Sequence, residues 1–85
     1  MASEKIQQLV AQAVGQQFEH WALQHPALAA VIDRVVLTDQ VATSLRATSE
    51  YKQAVEDYHR DMNDLNLLSQ LLQLAGPILA GILAA

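Results

Sequence analysis

Asp64 carries the last charge in this chain, and residues 65–85 have none. An uncharged stretch of this length has to be covered over most of its surface by its own chain, by another protein or by lipid. In its first half Asn66, Ser69, Gln70 and Gln73 fall on one line when each residue advances about 100°. Leu67, Leu68, Leu71, Leu72, Leu74 and Ala75 spread over the rest of that helix. Gly76-Pro77 is expected to interrupt or kink it, because proline has no N–H and its ring crowds the preceding turn. Beyond it Ile78, Leu79, Ile82 and Leu83 make a large side. Ala80, Gly81, Ala84 and Ala85 make a small side of the kind that lets helices approach closely.

Residues 1–64 read as amphipathic helices. Ser3 is a candidate cap with Glu4 in the first turn. Ile6, Leu9, Val10, Ala13, Val14, Gln17, Phe18 and Trp21 recur at three- and four-residue intervals, opposite Gln8, Gln12 and Gln16. Gln17 lies near the middle of this apolar stripe, where an amide can set register between helices. His25 precedes Pro26 and is pushed out of helical geometry, so the first helix should stop near Gln24. Pro26 suits the first position of a second helix. Its apolar face would be Leu28, Val31, Ile32, Val35 and Val36. Leu37 falls off that face, and Thr38 or Asp39 is the candidate cap for the next helix.

No proline or glycine interrupts residues 39–75, which predicts a long third helix with an optional break and recap at Thr48-Ser49. Val41 and Leu45 open its apolar face. Tyr51, Val55, Tyr58, Met62 and Leu65 then form a heptad-like seam that is too short for a coiled coil. Carried through residues 63–66, the apolar side would rotate by more than a quarter turn. One helix would then have two sticky faces: the Tyr51–Leu65 seam for packing within the chain, and the face bearing Leu71 for contacts between copies. The expected fold is therefore all-α, a single domain over residues 1–85. It is a small helical hairpin or bundle with a long third helix and an apolar C-terminal helical segment.

The 85 residues bury only a modest core, and no cysteine is present to staple it. Hydrophobic residues make up 52% and charged residues 16%, against roughly a quarter charged in ordinary soluble domains. Such a chain is expected to gain stability by associating. The net charge of −4, with Lys5, Arg34, Arg46, Lys52 and Arg60 scattered, gives no footprint for a nucleic acid or an anionic membrane. Met1-Ala-Ser-Glu-Lys-Ile lacks a basic stretch followed by an apolar core. The expectation is a cytoplasmic or assembly-bound protein rather than export by a signal peptide.

The sharpest catalytic pattern is Glu56-x-x-His59, the i,i+3 pair that di-iron bundles use, with Glu19 as a lone carboxylate from another helix. Glu56 and Glu19 both fall opposite their apolar stripes and point to water, so no metal or other cofactor is expected. His20 sits at the edge of a stripe, and His25 is separated from it by a spacing that suits no shared ligand. Ser44, Ser49 and Ser69 lie outside any glycine elbow and read as caps or polar-face residues. No enzyme activity is expected.

The leading expectation is a structural or scaffolding subunit that self-associates into a ring, bundle or filament. Its interface would be built from Leu67, Leu68, Leu71, Leu72, Leu74, Ile78, Leu79, Ile82 and Leu83. A second reading places residues 65–85 in or on a membrane, since the stretch reaches spanning length. Asn66, Ser69, Gln70, Gln73 and Pro77 weigh against it. A third is a small accessory or chaperone-like subunit of a larger protein complex.

Overall fold

The stripe beginning at Ile6 folds as a helix and is buried. In the computed structural model, which describes residues 2–84, α1 (Ala2–Gln24) buries Ile6, Leu9, Val10, Ala13, Val14 and Phe18, while Gln8, Gln12 and Gln16 face solvent. Ser3, expected as the cap, lies inside this helix, which begins at least a residue earlier. Met1 lies outside the described residues, as does Ala85, the last position of the expected apolar segment. The helix ends where Pro26 predicts. His25 takes φ −135° and ψ 60°, and Pro26 opens α2 (Pro26–Ala29).

α2 is a single turn and not the longer second helix expected. Val31 and Ile32 are β-branched and propagate a helix poorly, and Asp33 then caps a new one. Its carboxylate accepts from the N–H groups of Val35 (3.1 Å) and Val36 (3.2 Å), starting α3 (Arg34–Arg46). The cap is thus Asp33 rather than Thr38 or Asp39. This shifts the phase, so that Leu37, Val41, Ala42 and Leu45 are buried while Val35 and Val36 are exposed.

The long third helix is also corrected, since residues 34–84 fold as three helices. Thr48 caps α4 (Ser49–Asp61) by accepting from the Tyr51 N–H at 3.0 Å. α4 buries Ala54 and Tyr58, while Met62 and Leu65 of the expected seam are exposed. The break comes at Met62, whose left-handed backbone (φ 50°, ψ 33°) ends α4. Asn63 then caps α5 (Asp64–Ala84) through its side chain to the Asn66 N–H, at 3.1 Å. The rotation of the apolar face near residues 63–66 is therefore a corner between two helices. Gly76-Pro77 does not interrupt α5, and Pro77 lies inside the helix with its ring exposed.

All described elements are helices, and α5 is the helix the others share, packing on α1, α3 and α4. Leu67, Leu71, Ala75 and Leu79 form its buried line at four-residue spacing. Asn66, Ser69, Gln73, Pro77, Ala80 and Ala84 face outward. Lys5 meets Asp64, Gln17 meets Leu72, and Trp21 shares a groove with Leu83, so α1 and α5 run parallel. α3 runs against α1, with Arg34 beside Glu19 and Arg46 beside Gln7. The molecule is a rod of 42 × 19 × 18 Å.

Candidate functional site

The nine leucines and isoleucines expected to join copies do not share one environment. Leu67, Leu71 and Leu79 are 1%, 0% and 3% exposed, covered by the chain's own helices. They are core residues, and their assignment to an interface is corrected: α5 is wrapped by α1, α3 and α4, which the two-face reading of one long helix did not allow for. Leu68, Leu72, Leu74, Ile78, Ile82 and Leu83 pack against the core but stay half-buried. On a helical wheel Leu68 and Leu72 lie to one side of the buried line, and Leu74 and Ile78 lie toward the other. Ile82 and Leu83 are in the last turns.

α5 is also the helix, among the described residues, long and apolar enough to cross a membrane by length and composition; 22% of its apolar window is buried in the rod.

A set that the sequence reading missed runs from the end of α1 through α2 to the start of α3. Leu23, Leu28, Val31, Val35 and Val36 are 83%, 56%, 80%, 74% and 51% exposed. Periodicity assigned most of them to a helix that does not form. The signal that could have found them is Asp33, a strong cap three residues before Val36. α1 is about 34 Å long at 1.5 Å per residue, most of the rod, so its C-terminus and α2 lie at one end. There Trp21, His25 and Leu28 face Ala80, Leu83 and Ala84 across a groove of about 370 Å³. His25 stacks on Trp21, with 5.1 Å between ring centroids. Arg34 pairs with Glu19 at 3.1 Å and lies 5.1 Å from the centre of the Phe18 ring.

The other end is charged. The Tyr58 hydroxyl donates to Asp64 at 2.8 Å, and the Lys5 ammonium lies 3.2 Å from the same carboxylate. The Tyr58 hydrogen bond, then Lys5, hold Asp64 below the ordinary aspartate value. That bond, burial and the Asp64 charge push Tyr58 above the ordinary tyrosine value. Backbone and Ser49 hydrogen bonds lower Glu50 at the start of α4. Gln7 accepts from Arg46 at 3.2 Å, tying α1 to the end of α3.

The residues of the catalytic patterns do not converge. Glu19, Glu56, His59, His20 and His25 are all exposed, and among the described residues no group of three His, Cys, Asp or Glu side chains is placed to share a metal ion. Ser44 and Ser69 are exposed on their helices, and Ser49 donates to Glu50. Ser44 also lines a shallow groove of about 540 Å³ with Asp39, Gln40, Thr43 and Ile82. What the arrangement offers chemically is contact: a half-covered helix along the rod and an apolar end. Comparison with protein-family models, curated proteins and solved structures finds no match to this chain.

Proposed function

We propose that this chain is a non-catalytic helical subunit that acts by associating side by side with further copies of itself, in a bundle, ring or filament. The supporting observation is the incomplete cover of α5. Leu68, Leu72, Leu74, Ile78, Ile82 and Leu83 stay half-buried in a helix of which 22% of the apolar window is enclosed. Apolar area left in water favours any contact that removes it. These half-buried residues border the buried line on both sides, and the long sides of the rod have room for such a contact. A face of 42 × 19 Å is on the order of 800 Å², what each partner contributes to a stable protein pair. The polar groups at its edge, Ser69, Gln70 and Gln73, can hydrogen-bond across it without carrying charge into it.

A membrane-spanning role for α5 has its length and composition in its favour. It would also withdraw Leu67, Leu71, Ala75 and Leu79 from the core, leaving α1 and α3 without the helix both pack on. An accessory role in a larger complex would use the same half-buried residues with a different partner. Sedimentation equilibrium of the purified chain, with and without mild detergent, tests the reading. Association predicts a mass that is a multiple of 9.3 kDa without detergent. A monomer at all accessible concentrations would refute it, and a chain that is monomeric alone but held in a stoichiometric complex would support the accessory role.

A further inference from the structure

The two ends of the rod differ in chemistry. Residues 20–32 and 65–84, which supply α2, the end of α1 and the end of α5, contain no Asp, Glu, Lys or Arg. Of the charges bordering that end, Glu19 is engaged with Arg34 and Asp33 with the N–H groups at the start of α3, and Asp39 stands to one side, in a groove with Ile82. Leu23, Leu28, Val31 and Val35 are each more than half exposed there, beside the chain's one tryptophan. The opposite end carries Glu50, Lys52, Glu56, Asp57, Arg60, Asp61 and Asp64 on and after α4. Met62 and Leu65, also exposed, stand among these charges.

We propose that the α2 end of the rod docks into an electrically neutral lipid surface, with the rod standing away from it. The size and charge of this end select that occupant. A section of 19 × 18 Å offers a few hundred Å², well short of the roughly 800 Å² per partner that holds two proteins together. A second copy set end to end is therefore poorly held. A lipid interface sets no such threshold, because affinity grows with each apolar side chain that enters it. The end carries no lysine, and its arginine neighbour Arg34 is paired with Glu19, so nothing permanently cationic draws it to anionic headgroups, and an acidic chain is repelled by them. Trp21, with an apolar ring and one N–H, suits the boundary between headgroups and acyl chains. The exposed residues of this contact, Leu23, Leu28 and Val31, lie outside α5, and the two surfaces meet at Leu83.

The test uses the full chain and vesicles of pure phosphatidylcholine, read by Trp21 fluorescence and by co-sedimentation. Binding with a blue shift of Trp21 is expected. Leu23→Gln/Val31→Gln should weaken partitioning by about ten-fold or more, since two aliphatic side chains no longer enter the lipid. Both positions are exposed, so helix content should be unchanged. Met62→Gln/Leu65→Gln, the same change at the charged end, should bind as the parent does. The proposal is overturned if the chain ignores neutral vesicles or binds only anionic ones. It is equally overturned if the two double variants lose binding alike, or if Trp21 is shielded by a second copy and stays unmoved by lipid.

Discussion

The side-chain amide of Gln17 on α1 donates to the backbone carbonyl of Leu72 on α5 at 2.9 Å. It is the one side-chain hydrogen bond to backbone that joins these two helices among the described residues. It falls about a turn and a half before Pro77, where α5 lacks an N–H. The same amide lies beside Gly76, so a methyl built there would meet it at 3.5 Å, an ordinary contact. The polar residue in the middle of an apolar stripe thus fixes how far α1 slides along α5.

Gln17→Leu keeps the bulk but removes the donor. We expect a loss of about 1 kcal/mol, the usual worth of such a bond, measured as a shift in urea midpoint. Gly76→Ala should stabilise by about 0.5–1 kcal/mol, because the helix gains a better former and the added methyl fits. A destabilised Gly76→Ala would mean that the helices sit closer than 3.5 Å allows.

Leu71 and Val55 reverse the order that helical periodicity suggests. Leu71 is fully enclosed and Val55 only half-buried. Leu71→Ala should cost about 2–5 kcal/mol, a large share of a small domain's stability, and Leu71→Asp should abolish the helical signal in circular dichroism. Val55→Asp, at a position that keeps access to water, should lower the melting temperature yet leave a folded chain. A folded Leu71→Asp protein of reduced mass would restore Leu71 to an interface.

Met62 holds a left-handed backbone, φ 50°, with 57% of its surface exposed. A residue with a Cβ is strained there by about 1–2 kcal/mol, and glycine is not. Offset by the entropy glycine adds to the unfolded chain, Met62→Gly should gain about 0.5 kcal/mol. Met62→Val should lose stability, because a β-branched side chain tolerates this conformation least. Equal stability of the two variants in thermal melts would show that the corner is not held at positive φ in solution.

Asp64 and Tyr58 bracket a pH window. The Asp64 pKa is lowered from 3.8 by Tyr58 and Lys5. Its contribution is therefore present above the unfolded value and lost as pH falls through the depressed folded one. The Tyr58 pKa is raised from 10.0 by Asp64, so its contribution is full below the unfolded value and lost as pH rises through the higher folded one. Asp64→Asn should flatten the acid limb of stability against pH, and Tyr58→Phe should flatten the alkaline limb. Glu50, lowered in the same direction, leaves part of the acid limb in place. Variant curves parallel to the parent at both extremes would exclude the Lys5–Asp64–Tyr58 contact as the cause.

Local chemistry in the chain was enough to place several elements. The stripe from Ile6 to Trp21, the stop before Pro26, the Thr48 cap with Glu50 behind it and the polar line Asn66, Ser69 and Gln73 all obey short-range rules of spacing and capping. Where two local rules competed, the reading went astray. Val31, Ile32, Val35 and Val36 have helical spacing, but Asp33 sits among them and its carboxylate claims the N–H groups of Val35 and Val36. Met62-Asn63 contains neither proline nor glycine, and the one short-range mark of a corner is Asn63, whose side chain caps α5.

The candidate surfaces were less legible, because exposure is set by partners distant in sequence. By itself the sequence determined that this chain is helical, that α1 has one buried side, and that residues 65–84 need covering. Only the tertiary structure decided what covers them. Periodicity gives the direction a side chain faces on its own helix, but not which helices lie across from it. Once α1, α3 and α4 gather around α5, Leu71 becomes core, and Leu23, Leu28 and Val31 are left in water at one end of the rod.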